Sequence, residues 1–283
     1  MAVASVVVFA ATSCAKQNEQ FDLVESDLIE GAWANPVDRV LYPDESAAAM
    51  IHAAGEASIA ACMAERGFDY EGGAFPEFFP REQAQYFYGV TDPASAETNG
   101  LRSTIWMASV LQSQDESSSP SDDYLAALNG RTPRDVRDST GVVVGASDPD
   151  SCLGMALDSV TPNWADLQGL QYQAGVALLL SDVKSRRPVR NGFADWSECM
   201  AQSGHDYPGP WLMAYDFLGD SPTEAEKALA VTSANCMHSS GLLRAWSKAQ
   251  AEATWDELQR SYPDLLSRWD VLFAETVEYV EGL

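Results

Sequence analysis

The chain has 283 residues, 46% of them hydrophobic, with eight Trp, which is enough apolar material for a packed core. It carries 17 Lys and Arg against 42 Asp and Glu, a formal charge of -25. That excess repels phosphate backbones, so nucleic-acid binding is excluded as a class, and attachment to anionic lipid through a basic patch is not expected.

Residues Ala2 to Thr12 are uncharged and run into Ala11-Thr12-Ser13 directly before Cys14. A stretch of this length fits the apolar region of an export signal and is too short to span a bilayer. A Cys placed after small residues resembles the lipobox of bacterial lipoproteins, whose mature chain begins at a diacylglyceryl-Cys. The resemblance implies a signal peptide over 1–13, lipidation at Cys14 and attachment to the membrane through that lipid. No other segment approaches the roughly 18 apolar residues of a span. Residues 14–43 are acidic and irregular, with Pro36 and Pro43, and read as a tether.

A helix is expected from Asp44, its N-cap, through Ala47–Ala49, with Ile51, Ala54, Ile59, Cys62 and Met63 near one face. His52 falls on it as a flanking group. Gly67 sits where a C′ glycine ends a helix. Here the chain shows a near-repeat: C-M-A-E-R-G-F-D-Y at Cys62–Tyr70 recurs as C-M-A-Q-S-G-H-D-Y at Cys199–Tyr207. The second copy therefore predicts a helix through Trp196 and Ala201 that closes at Gly204, with Tyr folding back onto the helix in both copies. Asp69 and Asp206 read as turn or cap residues in that context.

Between the copies, 76–90 is aromatic and reads as loop and short helix, and 112–123 is polar and of low complexity. A short helix over Tyr124–Leu128 closes at Asn129-Gly130. A hairpin is predicted from 135–137 and 142–144 about Ser139-Thr140-Gly141. Asp148-Pro149-Asp150 leads into a helix carrying Cys152 and lacks the D-x-D-x-D-G order of a calcium loop. A helix over about 163–184 turns Leu167, Leu170, Ala174 and Leu178 inward, its end marked by Arg186, Arg187 and Pro188. Ser221-Pro222-Thr223-Glu224 reads as a capping box, with Ser221 at N-cap and Glu224 at N3, for the helix carrying Cys236. From Leu242 the chain is helical to its end, reset at Pro263, with a stripe at Leu266, Trp269, Phe273, Val277 and Val280.

Five Cys leave an odd thiol in an oxidising compartment; lipidation of Cys14 removes the oddity and leaves Cys62, Cys152, Cys199 and Cys236. Four Cys allow three pairings. The repeat favours Cys62–Cys152 and Cys199–Cys236, each copy pairing with the next Cys downstream. Zinc would call for short C-x-x-C or H-x-x-x-H spacings, and neither occurs, so no metal or cofactor is expected. The fold class that results is mainly α, disulfide-linked helical hairpins with a small β-hairpin. Residues 44–283 read as one domain of two unequal disulfide-bearing halves, about 44–160 and 161–283.

Catalytic signatures are scarce. Ser181-Asp182-Val183-Lys184 matches S-x-x-K, but its companion S-D-N and K-T-G motifs are missing, and Lys at a helix end suits the dipole. No G-x-S-x-G, H-E-x-x-H or phosphate loop occurs. His205 and His238 each lie close to a Cys of the second pair, so that cross-link would bring them near each other and opens a hydrolase reading with a spatially assembled site. Tyr207-Pro208-Gly209-Pro210-Trp211 holds aromatics on a rigid loop; burial of Trp211 in the core is the favoured reading, and an exposed contact for glycan or peptide is the alternative.

Cys14, Cys62–Tyr70, Cys152, Trp196–Gly204, Cys236 and the terminal helix together resemble a group of secreted actinobacterial lipoproteins of unknown function. That resemblance implies an envelope location and no particular activity. The expectation is a lipid-anchored, non-catalytic envelope protein that binds a cell-wall ligand or protein partner through Tyr207, Trp211, His205 and His238.

Overall fold

The structure, a computed structural model, describes residues 21–72, 88–101, 120–181, 183–216 and 221–283. Cys14 with the signal region, most of the aromatic 76–90 segment, the 112–119 stretch and Asp182 lie outside the described residues.

The tether expectation is corrected from residue 21 onward. Phe21 stacks on Trp255 with ring centroids 5.5 Å apart. Ile29 and Ala32 enter one core cluster, Val37 and Val40 another, and the Trp33 N–H donates to Ser247 Oγ at 2.9 Å. The acidic composition misleads because a few apolar side chains suffice to pin an irregular segment while its carboxylates stay in water. A single helical turn, α1 (Asp38–Leu41), carries Val40 inward.

Helix α2 (Glu45–Glu65) begins at Asp44, whose side chain accepts the Ala47 N–H at 2.9 Å. It ends in a Schellman closure: Gly67 takes φ +80°, its N–H donates to Ala64 O, and the Phe68 N–H donates to Met63 O. The second copy closes identically, with Gly204 at φ +87°, its N–H on Ala201 O and the His205 N–H on Met200 O. The repeated nonapeptide is thus a helix terminator whose Met is buried and whose Gly supplies the left-handed residue. The aromatic folds back as expected. Tyr70 Oη donates to Glu56 on α2, and the Tyr207 carbonyl accepts from Ser197 Oγ at 2.8 Å. Asp69 and Asp206 make no side-chain hydrogen bond among the described residues, so backbone geometry, not carboxylate capping, makes the turn.

Helices α3 (Pro93–Asn99) and α4 (Asp122–Asn129) follow, then an antiparallel hairpin of β1 (Arg134–Arg137) and β2 (Val143–Ser147). Helix α5 (Cys152–Val160), capped by Ser151 on the Gly154 N–H, is joined to α2 by the Cys62–Cys152 disulfide with Cα atoms 5.5 Å apart. Around that bridge Ile59, Met63, Ala127 and Ala156 form a small core. Helix α6 (Trp164–Leu180) stops short of the expected Lys184, because Ser181 Oγ turns back onto Ala177 O at 2.7 Å.

Helices α7 (Arg187–Gln202), α8 (Glu224–Ser239), α9 (Leu242–Ser261) and α10 (Leu265–Glu281) complete the body, with a 3-10 segment at Pro210–Asp216. The Cys199–Cys236 disulfide ties α7 to α8, and the fully buried Trp196 adds an Nε1–H bond to Ser233 O. Helix α9 spans two cores. Its first turns place Leu242, Leu243 and Trp246 against α7 and α8, and Leu258 meets α1, α6 and α10.

The cap of α8 differs from expectation. Thr223, not Ser221, is the N-cap, accepting the Glu226 N–H at 3.1 Å. Thr223 and Glu226 themselves keep the capping-box spacing, but the buried Glu226 carboxylate reaches across to the Leu101 N–H at 3.3 Å. Residues 88–101 therefore pack on α8, so material from before residue 160 completes the second core.

Candidate functional site

The loop between α7 and α8 forms the site. Gly209 lets the Trp211 ring lie against the backbone there, since a Cβ would stand 2.7 Å from its edge and displace it. With Pro208 and Pro210 stiffening the approach, the indole of Trp211 is laid on the surface at 43% exposure. That exposure corrects the expectation of a ring buried in the core. Phe193 and Trp246 meet it edge-on, with centroids 5.1 and 6.1 Å away, and Tyr88 braces Trp246 from behind at 5.3 Å. Lys184 Nζ stands 4.4 Å from the Trp211 centroid and 5.7 Å from that of Trp246. Sequence reasoning took Lys184 only as a helix-end charge; its place over an indole 27 positions away is set by the fold. The result is a rigid aromatic ledge with an ammonium beside it. Such a pairing can grip the C–H face of a sugar or an apolar side chain and attract a carboxylate.

The other expected residues divide. Tyr207 packs half-buried against the same core as Trp246. His238 Nε2 donates to Thr91 O at 2.8 Å, since a carbonyl can only accept. No hydrogen bond joins His205 to His238 among the described residues, although the Cys199–Cys236 bridge is formed. The cross-link fixes two helix backbones; His238 lies in the last turn of α8, whereas His205 follows the Gly204 closure of α7. In the S-x-x-K stretch, Ser181 Oγ is spent on Ala177 O and Lys184 on the indole. Among the described residues no group of three or more His, Cys, Asp or Glu has metal-holding geometry.

Three carboxylates away from the ledge have shifted titrations. Burial pushes Asp38 up to about 6, against the Asn35 N–H, which donates to it at 2.7 Å and pulls the other way. Its charge, after burial itself, raises the neighbouring Tyr42 and Tyr88 phenols. Asp148 is held low chiefly by the Thr132 N–H, then by those of Asp150 and Arg131. Burial raises Asp138, but the Thr140 hydroxyl, the N–H groups of Val142 and Thr140, and Arg268 together bring it below the ordinary value. Asp138 and Asp148 close the two ends of the hairpin and are structural.

Compared with family models, curated proteins and solved structures, the chain matches none. The ledge and its neighbourhood must therefore speak for themselves. A shallow groove of about 490 Å³ runs between α2, α5 and the end of α10, lined by Met50, Ala54, Ser159 and Val280; another of about 450 Å³ lies by Asp166 and Arg268. Neither contains the histidines or Trp211. By length and apolar content alone, the stretch Asp38–Glu65 passes for a membrane span, which the sequence reading did not anticipate. It is two helices broken at Pro43; α2 is bonded to α5 through Cys62 and buries only Ile59, Cys62 and Met63.

Proposed function

We propose that this protein is a non-catalytic, lipid-anchored binding protein of the cell envelope that presents the Trp211–Lys184 ledge to a cell-wall ligand or protein partner. The two disulfides suit the oxidising, extracytoplasmic compartment this requires. The observation that carries the reading is the half-exposed indole, held edge-on by two aromatics and flanked by an ammonium. A core aromatic would be covered, and an incidental surface Trp would have no such scaffold.

The experiment is co-sedimentation of the oxidised protein with purified, insoluble cell-wall material. Trp211→Ala is expected to weaken retention at least tenfold, corresponding to about 1.4 kcal/mol, and Lys184→Ala by a smaller factor. Circular dichroism should show both variants folded. Retention unchanged in Trp211→Ala would remove the ledge as the contact surface.

A further inference from the structure

We infer that the link between α6 and α7 is a membrane-contact face, docking on an anionic bilayer and setting the orientation of the anchored body. The inference rests on the lipid-anchor reading for its context, but its own basis is the surface around Arg186–Arg190. Three of the 17 basic residues, Arg186, Arg187 and Arg190, fall within five positions, and no acid occurs between 183 and 190. A molecule of charge -25 thus carries a local cationic spot. Charge on the far side is screened within a Debye length of about 8 Å, so the net value does not govern contact at this face.

The placement of these residues costs the fold something. Arg186 is the N-cap of α7, Arg187 is N1 and Arg190 is N4, so three cations crowd the positive end of a helix dipole. Arg187 and Arg190 are exposed and form no ion pair among the described residues, whereas Arg186 pairs with Glu252 at 3.4 Å. Directly before the run, α6 ends in Leu179 and Leu180, 73% and 65% exposed. Large aliphatic tips beside unpaired guanidinium groups suit an interface of anionic headgroups over acyl chains. They suit a fully hydrated anionic polymer less well.

The chain's own attachment leads to the same place. Phe21, the first described residue, rests on Trp255, one helical turn along α9 from Glu252 and its partner Arg186. Cys14 lies seven residues earlier, a reach of at most about 25 Å. A lipid at Cys14 would therefore hold the link close to the bilayer surface.

The test uses the full chain carrying Cys14→Ser, which cannot be acylated, with phosphatidylcholine vesicles made with and without phosphatidylglycerol. Sedimentation with the anionic vesicles alone, weakening as salt rises, is expected. Arg187→Glu/Arg190→Glu, at positions that form no ion pair among the described residues, should weaken partitioning by at least about 30-fold. Leu179→Ser/Leu180→Ser should weaken it at unchanged salt dependence. Absence of vesicle binding, equal binding to neutral vesicles, or an unaffected charge variant overturns the assignment. Retention on an anionic polysaccharide without vesicle binding overturns it too, assigning the run to a wall polymer. Failure of the anchor reading is recognised separately, by mass spectrometry showing Cys14 of the wild-type protein unmodified.

Discussion

Removing one disulfide at a time tests the largest single stabilising device in this molecule. The bridges close loops of sequence separation 37 (Cys199–Cys236) and 90 (Cys62–Cys152). In the chain-entropy model, the cross-links stabilise by about 3.9 and about 4.6 kcal/mol respectively. A domain's whole stability is about 5–15 kcal/mol, so either loss is a large fraction of it. The perturbations are Cys199→Ala/Cys236→Ala and Cys62→Ala/Cys152→Ala, made as pairs so that no free thiol remains. Cys152 and Cys236 are buried, so deletion of each sulfur adds a packing loss of about 1 kcal/mol. Urea unfolding followed by circular dichroism should show stability reduced by about 3–5 kcal/mol in each double variant. The m-value should rise, because an uncrosslinked unfolded chain exposes more surface. Hydrogen exchange should separate the two. Without Cys62–Cys152, the amides of α2, α4 and α5 exchange early, because the core around that bridge is the smallest of the three, while α7 to α9 stay protected. Losses below about 1 kcal/mol in both variants, or exchange that spreads evenly over all helices, would refute the argument.

The remaining predictions concern single residues. Asp38 titrates near 6 in the fold against an ordinary value of 3.8, so the folded state holds its proton more tightly. Stability contributed by the neutral carboxyl is complete below about pH 4 and lost as pH rises through about 6, at most about 3 kcal/mol. Asp38→Asn keeps the acceptor for the Asn35 N–H and should be more stable than wild type at pH 7, with a flatter profile between those values; a matching profile in the two proteins would contradict the burial argument. In Gly154→Ala the new Cβ would stand 2.1 Å from the Asp148 carbonyl oxygen, so α5 must shift, at about 3 kcal/mol in chemical denaturation. Gly175→Ala, whose Cβ meets nothing within 4 Å, should instead gain up to about 1 kcal/mol; equal effects of the two would show that local contact does not decide them. Thr223→Ala should cost about 1 kcal/mol in chemical denaturation, and a loss below about 0.3 kcal/mol would contradict its place as the N-cap.

Much of the local structure was legible because it depends on residues near one another in the chain. Asp44 capping α2, Gly67 and Gly204 reversing the backbone, Gly130 ending α4, the Ser139-Thr140-Gly141 hairpin and the break at Pro263 each follow from the conformational freedom of one or two residues. The disulfide pairing was legible for a different reason: a repeated unit repeats its partner. Illegible were features that join distant segments. Composition made 21–43 look like a tether, but its few apolar residues find partners more than 200 positions away, as in Phe21 on Trp255. The cap of α8 moved to Thr223, with Glu226 two residues beyond the expected N3 and buried against the Gly100–Leu101 turn.

By itself, then, the sequence determined a mainly helical, twice cross-linked body with a small hairpin and defined helix ends, because caps, left-handed glycines and apolar periodicity act over one or two turns. Tertiary structure alone decided which side chains meet at the surface. Lys184, Phe193, Trp211 and Trp246 come from four elements and converge only when α7, α9 and the 210–216 turn pack together. The same packing sets Phe21 on α9 one turn from Glu252, the partner of Arg186, since contacts at that separation carry no local energetic signal before the chain has closed on itself.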